Sequence, residues 1–89
     1  MINQFILKEF GIRIRELRTK QDLSQEQLSF KTGFHRTYIG MIERGERNIS
    51  LTNIAVFAKV FEVELSDLLN FKDQNSKLSY HNYQLKSDN

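Results

Sequence analysis

An all-α fold of five short helices is predicted by three observations. Apolar residues recur at helical rather than alternating spacing, no proline interrupts them, and serine or glycine stands where the apolar runs begin or end. In the first segment Ile6, Phe10, Ile14 and Leu17 fall on one face of a 3.6-residue period, which predicts a helix over about residues 4–20. Phe5 and Ile12 add a second apolar stripe, and Arg13, Arg15 and Lys20 are expected to turn outward. Ser24-Gln25-Glu26-Gln27 reads as a capping box, with Ser24 accepting from a first-turn amide while Gln27 reaches back. The second helix then runs to about Lys31 and stops at Gly33, a residue that adopts positive φ without steric cost. A short Gly33-Phe34 turn leads into a third helix at about His35–Arg44, closed by Gly45, and Arg44-Gly45-Glu46-Arg47-Asn48 forms a charged loop. Ser50 caps a fourth helix over Leu51–Phe61, where Ile54, Phe57, Ala58 and Phe61 recur at helical spacing; Val63-Glu64 bridges to a fifth, Leu65–Asn70. No internal repeat is visible. After Phe71 apolar residues thin out, so residues 1–71 read as one domain and 72–89 as a mobile polar tail, in which Leu78, Tyr80, Tyr83 and Leu85 are the side chains able to dock.

Composition removes whole classes of chemistry. Eighty-nine residues suit a single small core, since cores rarely split below ~250 residues, and leave little material for an enzyme cleft. The absence of cysteine excludes disulfides, iron–sulfur clusters, thiol nucleophiles and cysteine zinc sites. His35 and His81 have no metal-ligand spacing, and no phosphate-cradling glycine loop or nucleophile–base pairing can be argued. An enzyme is therefore not expected, and neither a cofactor, a metal nor a small-molecule ligand is indicated. No run approaches the ~20 apolar residues that cross a bilayer. The first residues lack the basic region of a secretory signal, so a cytoplasmic location is expected.

Thirteen Lys plus Arg against 11 Asp plus Glu give a net charge of +2, and its distribution is uneven. Residues 1–48 hold nine basic and six acidic side chains, +3, including all six arginines, whereas residues 49–89 hold four and five, −1. Such asymmetry points toward a polyanionic partner, though a solvated surface of mixed sign accounts for it equally well.

The informative stretch is Gln25–Arg44. A small residue at Ser29, glycine at the bend (Gly33) and inward apolar residues at Ile39 and Ile42, with Leu28 and Phe34 facing them, have the spacing of a helix-turn-helix. Projected at about 100° per residue, the third helix turns Ile39 and Ile42 to one side. Gly40, Arg44, Thr37 and Met41 fall opposite, with Arg36 and Tyr38 on the flanks and no acid on that face. It offers a guanidinium for guanine, a hydroxyl, and a thioether for thymine methyls, with Gly40 removing bulk where a groove wall would approach. Gln25, together with first-turn amides of the second helix, could bind phosphate, and Tyr38, Arg44, Arg47 and Asn48 could flank the groove. Glu43 points to the core margin, where Arg18 is its expected ion-pair partner.

Leu23-Ser24-Gln25-Glu26-Gln27-Leu28, the Gly33 turn and Ile39-Gly40-Met41-Ile42-Glu43-Arg44-Gly45 resemble the five-helix Cro/CI-type (XRE) DNA-binding domain over about residues 8–70. Within that family, Arg36-Thr37-Tyr38-Ile39, Ile42-Glu43-Arg44 and Arg47-Asn48 are most similar to controller proteins of restriction–modification systems. The resemblance implies a homodimer on a pseudo-palindromic double-stranded operator, with RNA polymerase a further candidate partner. It implies base contacts from Arg36, Thr37 and Arg47, backbone contacts from Gln25, Tyr38 and Asn48, and an Arg18–Glu43 ion pair. His35 departs from the family, which usually caps this helix with Ser, Thr or Asp; imidazole caps less well and is a candidate for a DNA contact instead.

One helix reads too few base pairs to find a site in a genome, so half-sites about one helical turn apart, roughly 34 Å, are expected for a dimer. Val63, Leu65, Leu68, Leu69 and Phe71 exceed what so short a fifth helix can bury, and are candidates for the partner subunit or for capping their own core. A phage-type repressor, or an antitoxin binding its toxin through the tail or the first helix, would share most of these residues. A pure protein-interaction module would differ in having a DNA-inert third helix.

Overall fold

Local sequence signals place four of the five helices within one residue of their expected ends. The computed structural model describes residues 4–71, and in them the chain forms α1 (Gln4–Lys20), α2 (Gln25–Thr32), α3 (Arg36–Glu43), α4 (Leu51–Phe61) and α5 (Leu65–Leu68). The segment 72–89, read above as a tail, lies outside the described residues. No helix among the described residues is long and apolar enough to cross a membrane.

The capping box at α2 is complete: Ser24 Oγ accepts from the Gln27 amide at 3.0 Å, and Gln27 Oε1 accepts from the Ser24 amide at 2.8 Å. Ser50 Oγ caps α4 by accepting from the Asn53 amide at 3.2 Å. Each such cap is worth about 1 kcal/mol. At the bend between α2 and α3, Gly33 sits at φ +81° with open space around it, so glycine is needed there for backbone conformation alone. Thr32 Oγ1 stiffens the bend by accepting from the Phe34 amide at 3.1 Å.

Two expectations about the far end of the chain are corrected. The fifth helix stops at Leu68 rather than Asn70, and Arg13 of α1 binds the carbonyls at its end. Its Nη2 donates to Asp67 O at 2.7 Å and its Nε to Leu68 O at 3.3 Å. Arg13 therefore turns toward α5 instead of outward to solvent. Leu68 and Phe71, counted as available to a partner subunit, are spent on the chain's own core, at 0% and 8% exposure. Val63 packs partly against that core, while Leu65 and Leu69 stay exposed.

The core is aromatic at its centre. Phe57 is fully buried, with the rings of Phe10, Phe34 and Phe61 at 6.3, 5.3 and 6.2 Å from its own. Ile14 and Leu17 of α1, Leu28 of α2, and Ile39 and Ile42 of α3 complete it. Leu7 and Gly11, absent from the expected stripe of α1, are buried too. Gly11 is where α1 meets the end of α3. A Cβ there would lie 2.4 Å from Ile42 O and 2.5 Å from Glu43 O, so only glycine permits this approach.

Gly11→Ala is expected to lower unfolding free energy by about 1–3 kcal/mol, because rigid backbone has to move. That is opposite in sign to the roughly 1 kcal/mol gain of Gly→Ala in an unhindered helix. Ile42→Ala, which opens a cavity, should cost about 2–5 kcal/mol. Urea unfolding of both variants checks the pair, and a stabilised Gly11→Ala would refute the close approach.

Candidate nucleic-acid interface

The inward set of α3 determines its outward one. Ile39 and Ile42 are at 0% and 1% exposure, so the helix cannot roll without opening the core. Arg36 and Thr37 on the other side are exposed, Met41 and Tyr38 half-buried, and Arg44 exposed at the C-cap. An open depression at the junction of α2 and α3 is lined by Gln25, His35, Arg36, Thr37, Gly40 and Arg44, gathering six of the expected residues in one place.

Glu43, the last residue of α3, turns inward and is bonded from two other helices. Arg18 Nε of α1 donates to its Oε2 at 2.6 Å and Nη2 to Oε1 at 3.1 Å, with side-chain exposures of 11% and 3% for the pair. Gln25 Nε2 of α2 donates to the same Oε1 at 3.0 Å. Arg18 Nη1 donates further to Leu23 O at 2.8 Å. The expected ion pair is thus present, and it also fixes which way the Gln25 amide faces. One hydrogen of Gln25 Nε2 is committed to Glu43, leaving the second for a ligand.

His35 is a working cap. Its Nδ1 accepts from the Thr37 amide at 3.1 Å, the hydrogen bond of the Nε2–H tautomer. Imidazole, expected to cap less well than Ser, Thr or Asp, does cap here, because extended backbone at φ −67° and ψ 144° aims the ring nitrogen at the amide.

Gly40 is buried, not exposed as the helical projection implies. A Cβ on it would come 3.1 Å from Arg44 Nη1 and 3.8 Å from Gln25 Oε1, so what its small size admits is the chain's own Arg44 guanidinium. Arg44 Nε donates to Glu46 Oε2 at 3.0 Å. That hydrogen bond, with the attraction between the charges, raises Arg44 above its ordinary pKa and holds the Glu46 carboxyl below its own. The face of α3 itself carries no acid, but the following loop brings one to it.

Arg47 is similarly placed rather than free. Its guanidinium carbon lies 5.2 Å from the centre of the Tyr38 ring, and its Nη1 lies 4.0 Å from Met41 Sδ. Tyr38 is itself fixed, edge-on to Phe34 at 5.1 Å, with its hydroxyl accepting from Asn53 Nδ2 at 3.0 Å. Asn48 is exposed in the loop after Arg47. Two residues that support this surface are not among the expected site residues: Glu46, expected only as part of a charged loop, and Asn53. Glu46 lies two residues beyond Arg44 across a turn, where no helical period projects it. Asn53 carried a signal, as a polar residue next to the inward Ile54 and Phe57 of α4.

The helix-turn-helix family model matches residues 14–68. The chain is 49% identical over 63 residues to the control protein C.BamHI of Bacillus amyloliquefaciens, covering 70% of this chain and 78% of that one. Its structure is similar to that of the restriction–modification controller protein C.AhdI from Aeromonas hydrophila, with a TM-score of 0.67 and 50% identity over 70% of this chain and 94% of the other. It is also similar to the controller protein C.Esp1396I, solved as a tetramer with its natural 35-base-pair operator, at a TM-score of 0.66 and 31% identity, covering 73% and 90%. An inward-locked α3 with a cationic outer side, on a fold shared with these proteins, leads to one conclusion: the chain belongs to the helix-turn-helix DNA-binding regulators of the Cro/CI (XRE) type.

Proposed function

We propose that this chain is the controller of a restriction–modification system, acting in the cytoplasm as a homodimer on a pseudo-palindromic operator, and that it is not an enzyme. The observation that carries the reading is the outward side of α3. Arg36, Thr37 and Arg44 stand there on a helix that Ile39 and Ile42 hold by its opposite side. The relatives support it, since C.Esp1396I was solved on operator DNA as a tetramer.

In this reading residues 1–71 form the DNA-binding and dimerisation unit. Arg36, Thr37, Met41 and Arg47 read base edges, and Gly40 lets Arg44 lie close to the groove. Gln25, His35, Tyr38, Arg44 and Asn48 contact the sugar–phosphate backbone, Gln25 through its second amide hydrogen and His35 through Nε2. Exposed Leu65 and Leu69, with Val63 beside them, supply the subunit contact, now without Leu68 and Phe71.

A duplex enriched by the chain from a random-sequence pool, with footprints on the DNA flanking its gene, tests the proposal. Two protected half-sites about one helical turn apart are expected. Uniform protection or none would refute it. On the enriched duplex Arg36→Ala should cost about 1–3 kcal/mol and relax discrimination at one base position. Arg44→Ala should instead weaken binding without relaxing discrimination at any one base position, and reduce the salt slope by about one. Anisotropy titrations at several salt concentrations distinguish the two patterns.

A further inference from the structure

We infer that Glu46 is a specificity-determining positioning residue, which holds Arg44 in one orientation and discourages phosphate contacts made from any other. The inference rests on the DNA-binding reading above and adds to it a role for a residue that would touch no base.

Glu46 is rooted before its side chain acts. The Glu46 amide donates to Met41 O at 2.9 Å and the Gly45 amide to Ile42 O at 3.0 Å, with Gly45 at φ +73°. This is the Schellman closure of α3, and it fixes where Glu46 leaves the helix. An acid at the negative end of a helix dipole is locally unfavourable, so the position gains nothing from α3 itself. What it gains is Arg44 Nε at 3.0 Å, in a pair whose side chains are 58% and 51% exposed. Lys8, close to Gly45, also favours the Glu46 charge.

The guanidinium thereby has a defined direction. Nε is occupied by Glu46, while Nη1 lies over Gly40, in the depression that Gln25 also lines. A phosphate approaching over that depression can take the Nη hydrogens with the Glu46 bond intact. One approaching from the loop side meets the Glu46 carboxylate and must draw Arg44 away from it. Preorganisation lowers the ordering cost in the first geometry, and like-charge repulsion raises the cost of the second. The first is the register in which α3 lies in the groove; the second belongs to loosely docked, non-specific complexes. Exposure of the pair keeps the effect modest, about two- to five-fold in binding.

The test compares the wild-type chain, Glu46→Ala, Glu46→Gln, Arg44→Ala and the Arg44→Ala/Glu46→Ala double variant by anisotropy. The probes are a duplex enriched from a random pool by the wild-type chain and the unenriched pool. Glu46→Ala should bind the unenriched pool about two- to five-fold more tightly, with a smaller change on the enriched duplex, so discrimination falls. Glu46→Gln, which keeps an acceptor for Arg44 Nε, should fall between. In the Arg44→Ala background Glu46→Ala should leave discrimination unchanged. Discrimination unaffected by Glu46→Ala, or lowered equally when Arg44 is absent, would overturn the inference while leaving the DNA-binding reading intact. A wild-type chain that enriches no sequence would overturn both.

Discussion

One carboxylate holds the reading unit together. Glu43 ends α3, and its oxygens accept from Arg18 on α1 and Gln25 on α2, so three helices meet at a single buried charge. A charge at that depth is tolerated only when paired and well hydrogen-bonded, because desolvation alone costs several kcal/mol. Here a two-point guanidinium contact and an amide meet that condition. The arrangement makes α3 unable to shift against the N-terminus of α2, which is the part of the fold expected to sit beside a phosphate. Gly11 reinforces it from the other side, since α1 rests directly on the last carbonyls of α3.

Around that fixed point the chain separates structural from functional surface. Apolar residues of α3 face Phe57 and its neighbours, whereas the two arginines that follow the helix face out, each given a location by a neighbour: Arg44 by Glu46, and Arg47 by Tyr38 and Met41. Long side chains held in advance lose less entropy on binding than free ones. The same economy explains α5. Arg13 binds the carbonyls at the end of that helix and its buried Leu68 closes the core, which leaves Leu65 and Leu69 as the exposed apolar residues of this segment.

Much of this was legible in the sequence because it depends on short-range rules. Ser24 with Gln27, Ser50 and Gly33 announce helix ends through contacts within four residues, and the structure realises each. The inward pair Ile39 and Ile42 follows from helical period alone. Features set by tertiary contact were not legible. No local pattern indicates that Arg13 reaches α5, more than fifty residues away, or that Gly11 marks a helix crossing. Gly40 illustrates the limit well. The projection correctly put it on the outer side, but only the conformation of Arg44 shows that the space above it is already filled. His35 shows another: residue type marked it as a weaker cap, while the local backbone geometry that makes it one is not visible in the sequence.

The central claim is that DNA meets this chain along α3 and the ends of its neighbours. Amide chemical-shift mapping with a duplex enriched from a random pool tests it most directly. The account predicts perturbations concentrated at the first turn of α2, along residues 35–44 and in the loop 45–48, with α4 largely silent beyond its first turn. Perturbations centred on α1 or α5, with residues 35–44 unmoved, would contradict it.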